Sequence, residues 1–202
     1  MKLDNIKGFF FDLDGTLIDS NLNFTDLRAE LGITEGHDIL EYVERIEDII
    51  QRKHALDRIH EFEFHGAQNS QLINGVSELI NFLNSRKLPF GVLTRNSRFC
   101  SELMIKKHQI KIDQLITRED ARAKPDPQGL HILRDRFGLA SHECLYVGDY
   151  IYDLDSATNA GMTPVLYENG SNNQYRKQAS FSITCYKDFL KELESTLSNS
   201  IS

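Results

Sequence analysis

Gly8-Phe9-Phe10-Phe11-Asp12-Leu13-Asp14-Gly15-Thr16-Leu17 is the stretch on which the reading of this chain turns. Residues 8 to 13 are an apolar run that ends in polar, turn-prone residues, the pattern of a buried strand running into a loop. Beyond it the period changes. Leu22, Leu27 and Leu31, then Ile39, Val43, Ile46 and Ile50, then Leu56, Ile59 and Phe62 recur at helical spacing. That predicts about three helices over residues 20 to 66 with no strand among them. Gly66-Ala67-Gln68-Asn69-Ser70-Gln71 reads as a polar linker.

After the linker, strand and helix alternate. A helix through Val76, Leu79, Ile80 and Leu83 precedes a strand over 89–94, a helix over 98–108 and a short strand over 114–117. A helix over 128–137, a strand over 144–148, a helix over 153–160 and a strand over 164–167 follow. A short strand at 181–183 and a helix over 186–197 complete the pattern. Such alternation implies an α/β fold: a Rossmann-like parallel sheet with helices on both faces. The helical segment becomes an insert after the first strand, so the expected division is a core of residues 1–19 and 74–202 and an insert of residues 20–73. Ligands in such sheets bind beyond the carboxyl ends of the strands.

The composition sets limits. With 202 residues, 40% of them hydrophobic, the chain can bury one well-packed domain or a domain with a small insert. No apolar run approaches the roughly 20 residues needed to span a bilayer. Met1-Lys2-Leu3-Asp4-Asn5 lacks the pattern of a secretory signal, which places the chain in the cytoplasm. Cys100, Cys144 and Cys185 are odd in number and widely spaced, so they read as reduced thiols, and no CxxC pair suggests zinc. Of the net charge of −7, residues 20–73 carry most, with 11 acidic against 5 basic side chains. An acidic segment disfavours nucleic acid and anionic membranes as partners. Monomer and dimer are both left open.

The strand ends carry the chemistry. The first delivers Asp12 and Asp14, the second Thr94-Arg95-Asn96, the loop after the third Lys124 in Ala-Lys-Pro-Asp-Pro, and the fourth Gly148-Asp149 with Asp153. Singly each has a plain structural reading: an Asx turn at Asp12 and Asp14, a helix cap at Asp149, a surface lysine at 124, a strand end at Thr94. Together they bring carboxylates, a hydroxyl and an ammonium to one sheet edge. Clustered carboxylates repel unless a cation offsets them, and magnesium, an oxygen-seeking ion that keeps several waters, needs few protein ligands. A metal, a lysine, a threonine and backbone N–H groups make a phosphate-binding set. Gly15 lets the chain turn sharply after the second acid.

These four segments, in their order and spacing, resemble the motifs of the haloacid dehalogenase superfamily over roughly residues 8 to 167. The insert resembles the helical cap of its phosphoglycolate-phosphatase-like branch, although it is short for that cap. The resemblance implies a magnesium-dependent phosphatase acting on a small phosphorylated metabolite. Asp12 would be the nucleophile that forms an aspartyl phosphate, and Asp14 the general acid and base. Thr94 and Lys124 would hold the phosphoryl oxygens, with Arg95 a further contact for the substrate anion beside Asn96 and Arg98. The metal ligands would be Asp12, Asp14 through its carbonyl, Asp149 and Asp153, the last directly or through water. Asp14 favours phosphoryl transfer over dehalogenation, because an ester to carbon needs no acid there. A mutase of the β-phosphoglucomutase type and a silent binding protein are the alternatives. His37, His54, His60 and His65, with Phe62 and Phe64, read as structural residues of the insert. A cap of this kind would hinge near residues 19 to 21 and 66 to 73.

Overall fold

The computed structural model describes residues 3–34 and 37–199. Two compact units emerge, Met1–Asp19 with Gln71–Ser202, and Ser20–Ser70.

The first unit is built on a six-stranded sheet. Its strands are β1 (Gly8–Phe11), β4 (Phe90–Leu93), β5 (Gln114–Ile116), β6 (Cys144–Gly148), β7 (Thr163–Tyr167) and β8 (Phe181–Ile183), in the order β5-β4-β1-β6-β7-β8. All neighbours run parallel. β1, β4 and β6 are buried along their whole length, as expected of strands covered on both faces. The intervening helices are α4 (Val76–Ser85), α5 (Arg98–Lys107), α6 (Gln128–Arg136), α7 (Ile151–Asn159) and α8 (Tyr186–Asn199).

Alternation along the strands sorts the core into two layers. Phe10, Leu93, Cys144 and Tyr146 pack with Leu130 and Leu133 of α6 and with Ala157 of α7. Phe11 faces the other way, its ring 6.4 Å from that of Tyr186 on α8. Gly91 marks close approach on the α6 side, where an added Cβ would lie 2.9 Å from Leu133 Cδ2.

β2 (Ile18–Asp19) and β3 (Gln71–Leu72) form a separate antiparallel ribbon, in which Ile18 faces Leu72 and Asp19 faces Gln71. Both strands of this ribbon belong to the sheet unit, so the boundary falls at residue 70 where sequence reading placed it at 73. A two-residue strand carries no periodicity that could be read in advance.

The helical unit holds α1 (Phe24–Glu30), α2 (Ile39–Glu44) and α3 (Ile49–Asn69) around its own core of Leu27, Ile33, Ile39, Val43, Ala55 and Ile59. Arg58 on α3 grips Glu30 on α1 with two hydrogen bonds, 2.6 and 2.9 Å. Two expectations are corrected here. The periodicity through Ile50 does not continue one helix: α2 ends at Glu44, Asp48 caps α3 by accepting from the N–H groups of Ile50 and Gln51, and Ile50 is 81% exposed. Residues 66 to 69 are not a linker but the last turn of α3. Gly66 serves close packing there, since a Cβ would meet Leu22 Cδ2 at 2.6 Å. The hinge expected at 66 to 73 therefore falls partly on helix.

Leu133 is fully buried between α6 and β4. Leu133→Ala is expected to lower unfolding stability by about 2–5 kcal/mol, read as a lower urea midpoint with an unchanged slope.

Candidate active site

Asp12 stands one residue beyond β1, near the middle of the sheet, and its N–H donates to Val147 O at 2.8 Å, which continues the ladder with β6. Alternation puts it on the side of Phe10, above the α6–α7 layer. After it the chain turns back: the N–H groups of Leu17 and Ile18 both donate to Leu13 O at 2.9 Å, and Gly15 N–H donates to Ile18 O at 2.7 Å. Gly15 has φ +80°, and a Cβ there would lie 2.6 Å from Asp149 Oδ2. Glycine is thus required twice, by its backbone angle and by the nearness of the acid. Asp14 lies half-buried in this turn.

Lys124 arrives on the loop between β5 and α6. That loop is tied to α7 by Ser156 Oγ donating to Asp126 O (3.2 Å) and Asn159 Nδ2 donating to Pro125 O (3.1 Å). Lys124, 5% exposed, donates to Asp12 Oδ1 at 2.6 Å, Asp153 Oδ1 at 2.5 Å and Tyr146 Oη at 3.0 Å. Asp153 sits in the first turn of α7 and accepts from Tyr150 N–H at 3.0 Å. Gly148 makes room for it: a Cβ there would fall 2.2 Å from Asp153 Cβ. Asp149 is held from β7's side, its carboxylate accepting from Asn169 Nδ2 (3.2 Å) and its carbonyl from Asn172 Nδ2 (2.7 Å).

Burial is the largest influence on these acids. It pushes Asp12 up to about 7, with Asp153 and Asp14 adding repulsion and Lys124 opposing. It pushes Asp149 up to about 8, with Asp153, Asp12 and Asp14 adding to the rise. For Lys124 burial works against the charge, but the carboxylates of Asp12 and Asp153 outweigh it and hold the ammonium above its ordinary range. One lysine does not neutralise the cluster. Asp12, Asp149 and Asp153 each offer an oxygen, and the three lie within 4.8 Å of one another, the one such group of ligating side chains among the described residues. The donor set, all oxygen and all anionic, fits a hard divalent cation. The absent side chain at Gly15 leaves Asp149 uncrowded for it.

Thr94 is buried directly after β4, where its Oγ1 accepts from Asn96 N–H at 3.1 Å and its own N–H donates to Ile116 O at 3.0 Å. Arg95 stacks its guanidinium 5.3 Å above the Tyr152 ring. From there an aromatic series continues: Tyr150 lies 5.2 Å from Tyr152 and 5.5 Å from Tyr175, ring centre to ring centre. This arc crosses the carboxyl ends of the strands from β4 to the turn after β7. Arg98 is spoken for by the fold. Its N–H donates to the Glu119 carboxylate (3.1 and 3.2 Å), and its guanidinium pairs with Asp120. In the helical unit, His60 stacks on Phe64, His65 meets Asn69 at 3.2 Å, and Phe62 packs edge-on to Phe24, all structural contacts.

Sequence reading missed Tyr146, Asn169 and Asn172. Tyr146 carried a signal: a tyrosine in the middle of a fully buried strand must find a partner for its hydroxyl. The asparagines follow β7 in an irregular stretch and carried none.

A doubly wound sheet brings acids, a lysine and a threonine together at its carboxyl edge. The chain belongs to the haloacid dehalogenase-like hydrolase family, whose profile matches residues 9–167. Among its relatives is the N-acetylmuramic acid 6-phosphate phosphatase of Pseudomonas aeruginosa, 25% identical over 187 residues, covering 80% of this chain and 81% of that protein. A phosphoglycolate phosphatase of Xanthomonas campestris is 27% identical over 189 residues, covering 79% and 81%. The crystal structure of a hydrolase from Pseudomonas syringae shares the fold with a TM-score of 0.80 at 20% identity, over 94% of this chain and 98% of that one.

The raised acids set a pH dependence. Above 3.8 the unfolded chain releases protons that folded Asp12 and Asp149 keep up to about 7 and 8, so the folded state binds more protons in that window. Stability then falls as pH rises through it. Carboxylates held low by their partners, such as Glu143 beside Lys7, act only below the ordinary carboxylate range. In chelator, the melting temperature is expected to rise by about 3–6 °C from about pH 8.5 to about pH 6. Asp149→Asn should flatten this slope in a calorimetric scan.

Proposed function

We propose that this hydrolase is a magnesium-dependent phosphatase of small phosphomonoesters that works through an aspartyl phosphate on Asp12. The observation that carries the reading is the buried Asp12 carboxylate at the end of a central strand, held by Lys124 at 2.6 Å beside two further acids.

Asp12 attacks phosphorus in line, and the bond to the ester oxygen breaks as the bond to the carboxylate forms. Asp14, less buried and in the same turn, gives its proton to the departing alkoxide and then takes one from the water that hydrolyses the acyl phosphate. Lys124 favours the ionised form of Asp12 against burial and offsets charge on the phosphoryl oxygens. The Thr94 hydroxyl supplies a donor, and Arg95 on the loop after β4 adds positive charge for the anion. Magnesium, held by Asp12, the Asp14 carbonyl, Asp149 and Asp153, would contribute positive charge that compensates the crowded carboxylates and the phosphate. Positioning and electrostatic stabilisation supply most of the rate. The relatives that act on phosphoglycolate and on an amino sugar phosphate support a small metabolite as substrate. No helix among the described residues is long and apolar enough to cross a membrane.

Phosphate release from a panel of small phosphomonoesters, without a bisphosphate activator, tests the reading. Release should require magnesium, and Asp12→Asn should lower it by about a thousandfold or more. Release that survives in the variant would refute the nucleophile. Asp14→Asn should slow alkyl esters by about a hundredfold or more, while first-turnover release of p-nitrophenol, a good leaving group, stays near native.

A further inference from the structure

Tyr146 has no exposed surface and sits in the core layer between β6, α6 and α7. Its hydroxyl lies 3.0 Å from Lys124 Nζ, 2.9 Å from Leu93 O and 3.2 Å from Asp153 Oδ1. The direction of the lysine contact is fixed. An ammonium has three N–H donors and no acceptor, so the tyrosine oxygen must accept from Lys124. Its single proton then goes to one of two acceptors, Leu93 O, the nearer, or Asp153 Oδ1. Acceptors at the end of β4 and in the first turn of α7 thus orient the hydroxyl, and the hydroxyl orients the lysine. With Asp12 Oδ1 at 2.6 Å and Asp153 Oδ1 at 2.5 Å, all three N–H directions of Lys124 are taken.

The third contact changes what the lysine can do. An ammonium bound at two points keeps one loose N–H and can turn about its C–N bond. Bound at three points in a dry site, it is fixed, which is the support that a reacting group needs from the residues behind it. We propose that Tyr146 is a positioning residue: its hydroxyl locks the Lys124 ammonium so that one N–H stays on Asp12 Oδ1 while Asp12 reacts. The proposal rests on the reading of Asp12 as nucleophile. It assigns Tyr146 no contact with substrate.

Tyr146→Phe keeps the ring that fills the core and removes only the acceptor. Two measurements on the full chain with magnesium present test it. The first is independent of turnover: nitrogen-15 NMR of the lysine ammonium groups. Lys124 should exchange its protons slowly with water in the native protein and about tenfold faster in Tyr146→Phe. Exchange unchanged within about twofold would overturn the proposal. The second is kinetic. Tyr146→Phe should lower kcat about tenfold with KM within about twofold, and should make no further difference in a Lys124→Met background. An equal loss in both backgrounds would mean a general structural effect and would also overturn it. If the native protein releases no phosphate from any ester, the phosphatase reading falls, and the exchange measurement alone decides whether Tyr146 locks Lys124.

Discussion

An ammonium taken out of water costs far more than one hydrogen bond returns, so a buried lysine persists only where anions and acceptors surround it on every side. Lys124 meets that condition through Asp12, Asp153 and Tyr146, which come from three different parts of the chain. The arrangement is reciprocal. Without the lysine, Asp12 and Asp153 would be two buried carboxylates in repulsion. β1 must end where β6 can bring Tyr146 alongside, α7 must start close enough for its first turn to face inward, and the loop before α6 must reach across both. Much of the sheet's local geometry can be read as the conditions for this one contact.

Two glycines show how tightly those conditions bind. Gly148 ends β6 with no side chain because Asp153 occupies the volume, and Gly15 turns the chain where Asp149 stands. In both places the fold gives up local backbone stability to let an acid approach. Side chains are omitted where the acids converge and packed densely one layer below, around Phe10, Leu133 and Tyr146.

The sheet was legible in advance because buried parallel strands are short apolar runs with abrupt polar ends, and Cys144–Gly148 and Phe181–Ile183 coincide with the segments read from sequence. Asp12, Thr94 and Asp149 stand where such runs stop, whereas Lys124 lies within the loop between β5 and α6 and Asp153 in the first turn of α7. The helical unit was less legible. Ile50 continues an apolar period yet lies in solvent, because Asp48 starts a new helix just before it. Gly66 looked like a break but is a packing surface for Leu22. Periodicity reports which residues could share a face; it does not report where one helix stops and the next begins. Tyr146 was half legible: a tyrosine in a buried strand needs a partner for its hydroxyl, but only the lysine above it shows which partner that is.

The small ribbon of β2 and β3 has a consequence for how such a chain can vary. Ile18 pairs with Leu72 and Asp19 with Gln71, so the points at which the chain leaves and rejoins the sheet unit are stitched side by side. To the sheet, everything from Ser20 to Ser70 is a single loop whose ends are already closed. The entropy of closing a loop grows only slowly with its length, so a longer or shorter insertion changes little for the residues that hold Asp12. The stitch lets descendants of one catalytic frame exchange what lies between its ends while the frame itself stays put.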